Sequence, residues 1–277
     1  PPSIPFLLYA IITQPSVLGM FLGGVLPGIG VGLALMVTVY LTSKANNYGS
    51  HEGRTFSPAL AWNTFVKASP AFVIPLIIVG GLLGGVFTAT EAGAFAAIVA
   101  FLLAWLGYRR VRFRDIPTLL LSTARITSSV MLIVGAASAA SWLLSRAGAT
   151  QMLVEVVRDA SGNGFLAILS INLFLIVVGM VMDLSPALII FAPLLLPIAL
   201  EFGVDPIQFG VMLVLNLGIG LITMPVGQVL YVVSSVSGVS IPQLVKAMLP
   251  FYLALIAMLG LVAAVPFLTT YIPSILQ

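Results

Sequence analysis

The chain alternates long apolar runs with short polar ones. Residues 17–41, 70–86, 94–107, 165–182 and 250–266 are nearly free of charge. Each run approaches or exceeds the ~20 residues that carry a helix across a bilayer core. The pattern predicts an all-α polytopic membrane protein. The sequence holds 26 Gly and 18 Pro, so several helices must bend or break. A bilayer tolerates this only where the freed backbone groups face protein or a water-filled cavity. Broken helices suit a carrier better than an anchor.

Composition narrows the chemistry. Of 277 residues, 60% are hydrophobic and 7% charged, where a soluble domain carries roughly a quarter charged. The chain has no cysteine, which excludes a disulfide frame, a thiolate nucleophile and a cysteine metal site. A single His51 does not build a metal site alone. An intramembrane enzyme would need a catalytic constellation, and the candidate acids are only Glu91 and Asp183, so no enzyme is expected. The net charge is +3, and Arg109, Arg110, Arg112 and Arg114 lie together beside an apolar run. That cluster reads as an orientation signal, not a nucleic-acid surface.

Lys44, Arg54 and Lys67 flank one polar stretch and the arginine cluster forms another, which places both loops in the cytoplasm. The stretch 43–69 is then a cytoplasmic loop, and 58–67 reads as an amphipathic surface helix within it. Between these loops, 70–86 crosses outward and 91–107 returns, with 87–90 as the outer turn. Thr88 and Glu91 have capping-box spacing, so Thr88, Thr90 and Glu91 read as mainly structural. Residues 118–145 cross outward again, with Arg125 snorkelling to headgroups. Trp62, Trp105 and Trp142 read as interfacial anchors. The arms 164–182 and 186–200, joined at Asp183 to Ser185, read as a re-entrant hairpin over 164–200, because the second arm is short and the tip carries an acid and no basic residue. A broken helix over 206–238 then crosses inward, and 248–272 crosses outward.

Residues 1–28 align without gaps on 224–251, with Pro2 against Pro225, Leu7 against Leu230, Leu26 against Leu249 and Pro27 against Pro250. Charge places the helices that follow in opposite orientations. The expected organisation is the end of an N-terminal repeat (1–42), the loop (43–69), central helices (70–145) and a C-terminal inverted repeat (146–277). Inverted repeats with interrupted helices are a recurrent architecture of secondary transporters, with sites near the midplane at the breaks.

The sequence resembles the large membrane subunit of TRAP (tripartite ATP-independent periplasmic) transporters, a branch of the ion-transporter superfamily of elevator carriers. The resemblance rests on PPSIPFLLYA and GMFLGGVLPG near the start, GGVFTATEAGAFAAIVA at 84–100, GMVMDLSPALIIFAPLLLPIA at 179–199 and DPIQFGVMLVLNLGIGLITMPVGQVLYV at 205–232. Met224 stands where the family has the first of two prolines. The chain begins with Pro1, which reads as the C-terminal two-thirds of such a subunit, without the first re-entrant hairpin. The resemblance implies an elevator mechanism in a bacterial or archaeal inner membrane. It implies Na+ as coupling ion with no other cofactor, a small membrane partner subunit, and a periplasmic binding protein that delivers an organic acid such as a C4-dicarboxylate or sialic acid.

The residues suggest where this would happen. A discontinuous helix frees carbonyl oxygens suited to Na+, and the following half-helix attracts a carboxylate. Thr223, Pro225 and Gly227 offer this in one repeat, Pro2 and Ser3 in the other. Asp183 is costly at membrane depth unless it faces a cavity or partner, although with Ser185 and Pro186 it is also a good helix start. Asn216, in an apolar helix, is a further candidate ligand. Two alternatives stay open: a stand-alone carrier for a dicarboxylate or oxyanion, and a structural membrane subunit.

Overall fold

The computed structural model describes residues 2–46, 57–148, 152, 155 and 163–276. His51, Arg54, Arg158 and Asp159 lie outside them. All regular structure among the described residues is helical. In chain order the α-helices are α1 (Ile4–Thr13), α2 (Val17–Gly23), α3 (Val25–Asn46), α4 (Pro58–Ala68), α5 (Val73–Leu83), α6 (Ala89–Leu102) and α7 (Ile116–Arg146). There follow α8 (Gly164–Val181), α9 (Leu184–Glu201), α10 (Pro206–Leu221), α11 (Gln228–Ser237), α12 (Ile241–Ala264) and α13 (Phe267–Leu276). Seven helical stretches among them are long and apolar enough to cross a membrane.

Local chemistry sets the helix starts. Ser3, Ser16, Ser57, Thr88, Asn163, Asp183 and Asp205 each accept a first-turn amide with a side-chain oxygen, satisfying donors that the helix leaves unpaired. At Thr88 the capping box is complete, with Glu91 bonding back to the cap amide. α1 and α11 are alike in form. Both have ten residues and end at a left-handed residue, Gln14 (φ 71°) and Gly238 (φ 72°). In each case a serine, Ser16 or Ser240, then precedes the next helix.

The chain divides into two compact units, Ser3–Thr42 with Val130–Gln277 and Ser43–Ser129. The larger unit is built around α10, on which α1, α2, α8, α9, α12 and α13 pack. Phe209, Met212, Leu213 and Leu217 of α10 are fully buried together with Tyr9, Met20, Leu175, Leu188, Ile189 and Val262. Lipid tails are as apolar as leucine, so this core is held by close packing and small residues more than by exclusion from water. At Gly210 an added Cβ would lie 2.4 Å from the Tyr9 ring and 2.6 Å from Met20. The Tyr9 hydroxyl donates to the Pro206 carbonyl at 2.8 Å. In the smaller unit α5 and α6 pair across a turn where Phe87 stacks on Phe95 at 4.6 Å.

Three elements differ from the sequence reading. The single crossing expected over 248–272 is two helices, because Pro266 has no amide to continue the ladder and Val265 before it has left the helical conformation (φ −121°, ψ 88°). The helix expected over 17–41 is α2 and α3, joined at Gly24. The second hairpin arm begins at Leu184, not at 186, and has 18 residues, as many as the first. Asp183 caps it two residues earlier than Pro186 suggests, so brevity does not separate a re-entrant arm from a crossing one.

Candidate functional site

α8 ends at Val181 and α9 begins at Leu184, leaving Met182 and Asp183 as the turn between the arms. Asp183 is extended (φ −64°, ψ 151°), and its Oδ1 accepts from the Leu184 amide at 2.9 Å. Its carboxylate is otherwise exposed. Ser185 is half-buried in the first turn of α9.

α10 stops at Leu221, since Pro225 has no N–H for the Leu221 carbonyl. The Ile222 and Thr223 amides fold back to Ile219 and Gly220 at 3.2 and 2.9 Å, tightening the last turn. The Thr223 hydroxyl donates to the Ile219 carbonyl at 2.7 Å, and the Tyr252 hydroxyl of α12 donates to the Ile222 carbonyl. The Met224–Pro225 peptide is cis. Gly227 is left-handed (φ 48°, ψ 66°), and a Cβ there would stand 2.8 Å from the Thr223 carbonyl oxygen, so only glycine fits without strain. Among the described residues no donor reaches the carbonyls of Leu221, Thr223 or Met224. α11 then starts with no side-chain cap, and the Gln228 and Val229 amides donate to no acceptor among the described residues.

The tip and the break meet. The Met180 carbonyl accepts from the amides of Val226 at 3.2 Å and Gly227 at 3.4 Å, so the end of the first arm is bonded to the start of α11. The same two segments cross backbone to backbone one step away, where a Cβ on Gly220 would lie 2.5 Å from the Gly179 Cα. The break thus holds uncommitted carbonyl oxygens and uncommitted amides, and it is bonded to the end of the arm three residues before Asp183. It suits a cation and an anion held close together.

Asn216 lies deeper in α10 and is fully buried. Its Nδ2 donates to the Asn172 carbonyl at 2.9 Å and to Asn172 Oδ1 at 2.8 Å. Asn172 Nδ2 in turn donates to the Ile168 carbonyl at 2.8 Å and to Met212 Sδ at 3.2 Å. The Oδ1 of Asn216 is buried without a hydrogen bond. An interhelical hydrogen bond in a membrane is worth on average about 0.6 kcal/mol, whereas a buried unsatisfied acceptor costs about 1–3 kcal/mol. The pair therefore gains little stability over two apolar residues, and its value lies in fixing which residues face each other.

The remaining candidates are held by other contacts. Ser3 caps α1, accepting from Phe6 at 3.5 Å, and no hydrogen bond among the described residues joins it or Pro2 to the tip or the break. Glu91 Oε2 accepts from Thr88 N and Oγ1, both at 2.8 Å, with Thr90 exposed in the same turn of the smaller unit. A mostly apolar cavity of about 610 Å³ opens at the opposite ends of the arms, beside Phe165, Phe202 and Leu259, away from the Asp183 turn. Sequence reasoning missed Asn172, Tyr252 and the Met180 carbonyl. Asn172 had a signal, being the single side-chain amide of α8; a carbonyl has none.

A family described as tripartite ATP-independent periplasmic transporter, DctM component, matches residues 1–268. The chain is 36% identical to a 2,3-diketo-L-gulonate TRAP transporter large permease protein of Escherichia coli, over 96% of its own length and 62% of that protein. It is 34% identical to a C4-dicarboxylate TRAP transporter large permease protein of Vibrio cholerae, over 100% of its length and 65% of the relative. It is equally 34% identical to a sialic acid TRAP transporter large permease protein of that organism, over 99% and 64%. The chain thus spans less than two thirds of the length of these relatives. With the seven apolar helices, these matches establish that the chain belongs to the DctM component family of tripartite ATP-independent periplasmic transporters and is a multi-pass protein of the inner membrane.

Proposed function

We propose that this chain is the translocating part of a secondary transporter that carries a small organic anion across the inner membrane together with Na+. A periplasmic binding protein delivers the anion, and a small membrane subunit completes the assembly. The observation that carries this reading is the bonded contact between the arm end at Met180 and the helix break at Val226 and Gly227. It brings free oxygens and free amides to one place.

Na+ prefers hard oxygen ligands, and the carbonyls of Leu221, Thr223 and Met224 supply them without breaking a hydrogen bond. The uncapped first turn of α11 offers the Gln228 and Val229 amides to a carboxylate, helped by the helix dipole. Asp183 and Ser185, at the start of α9 a few residues past the Met180 carbonyl, would add a charge and a hydroxyl. A cation bound at the break would offset the repulsion between Asp183 and an incoming carboxylate, which makes anion binding depend on the ion. The relatives' named substrates, 2,3-diketo-L-gulonate, C4-dicarboxylates and sialic acid, all carry a carboxylate. Movement of the larger unit's hairpin and broken helices as an elevator would then carry both ligands inward.

The test is uptake of labelled organic acids by proteoliposomes holding the full-length subunit and its small partner, with and without a sodium gradient and a cognate binding protein. Uptake that needs both supports the tripartite, sodium-coupled reading. Uptake indifferent to the binding protein turns the reading to a stand-alone carrier, and no uptake under any condition turns it to a structural subunit.

A further inference from the structure

We propose that Asn172 and Asn216 are positioning residues that set the register between α8 and α10, and through it the geometry of the ion-binding break. The inference rests on the transport reading for its functional consequence. Its physical content stands on the packing alone.

Three contacts run in sequence along the same two helices. The Asn216 amide grips Asn172 at two acceptors. Two turns further along α8, Gly179 crosses Gly220 so closely that Gly220 has no room for a Cβ and Gly179 very little. Immediately beyond, the Met180 carbonyl meets the amides of Val226 and Gly227. A smooth glycine crossing lets helices approach but does not say where along their length they stop, since glycine offers nothing to interlock. The asparagine pair supplies that stop. A fully buried amide with one acceptor left unpaired is a poor stabiliser, so its directional bonds are what it contributes. Sliding α8 by one residue would move the Met180 carbonyl by ~1.5 Å, enough to break its bonds to the amides after the break.

The experiment uses the full-length permease with its small subunit, and the cysteine-free sequence of this region gives a clean background here for paired cysteines. Val181→Cys with Val226→Cys reports the distance from tip to break through the rate of cross-linking by a short bifunctional thiol reagent, and sodium-dependent uptake is measured without the cysteines. With Asn172→Leu or Asn216→Leu, cross-linking should slow about tenfold and half-saturation by sodium rise about tenfold, the scale expected for a misplaced binding geometry. The double variant should be no worse than Asn216→Leu, which already removes both bonds, whereas Asn172→Leu leaves the Asn172 carbonyl as an acceptor. Asn172→Thr keeps an acceptor for Asn216 and should restore both readouts to within about twofold. Should a leucine variant fail to fold, the threonine variant still decides, because a threonine as poor as leucine would overturn the proposal. Unchanged cross-linking in folded leucine variants would overturn it too. If uptake by the parent protein ignores sodium, the transport reading fails while cross-linking still judges the register.

Discussion

Two helix pairs in this protein are equally apolar and differ in what they do with it. α8 and α10 meet through backbone at Gly179 and Gly220, with Leu175, Met212, Leu213 and Leu217 buried around them. α5 has no buried residue and α6 only Ala92 and Ala96, so Leu76, Phe95 and Ile98 point outward. In water both surfaces would have to be hidden; in a bilayer an outward leucine costs nothing. Hydropathy therefore marks where a helix can live, and small residues mark where it is held. The ion-binding candidates sit at the held pair.

The sharpest way to break this contrast is Gly220→Ala. The new Cβ meets Gly179 backbone at 2.5 Å, which cannot rotate away, so the cost should reach or exceed the upper part of the usual overpacking range of about 1–3 kcal/mol. Detergent size-exclusion and uptake should both show severe loss. Gly227→Ala comes next. It forces a side chain into left-handed backbone, at about 1–2 kcal/mol, and against the Thr223 carbonyl. The protein should remain folded while uptake falls at least tenfold in line with that cost; normal uptake would remove the break from the site. Tyr252→Phe leaves the ring packed and deletes the hydroxyl that holds the Ile222 carbonyl, an effect of about 0.5–1.5 kcal/mol visible as a lower melting temperature and a few-fold weaker sodium response. Gly93→Ala should do least, since nothing lies within 4 Å of the added Cβ, and stability should change by no more than about 0.5 kcal/mol. A large loss there would mean that α6 is held as tightly as α8.

Much of this was legible in the sequence because bilayer crossing depends on length and apolarity. The runs at 94–107 and 165–182 fall within the helical stretches Ala89–Gly107 and, but for its last residue, Gly164–Val181. The capping box at Thr88 and Glu91 was legible too, since it depends on residues three apart. Boundaries failed where two signals compete. Asp183 and Pro186 are both good helix starts, and the acid prevailed because its oxygen reaches the Leu184 amide directly. The proline-rich end misled differently, because Pro266 divides what apolarity alone reads as one crossing. Around the candidate site the side chains could be named, but the Met180 carbonyl carries no letter of its own. The Asn172–Asn216 bond joins positions far apart in sequence, and neither asparagine announces its partner.

The glycine crossing also bears on how such proteins can change over time. Side-chain packing between membrane helices competes with lipid and shifts with acyl length, temperature and fluidity. Where one backbone rests on another there is no side chain for a lipid to replace, so a site hung from that contact keeps its shape as the surrounding membrane varies. Substitution has no room at Gly220 and very little at Gly179, while α5 buries no residue and α6 only two alanines, so one membrane constrains the two pairs differently.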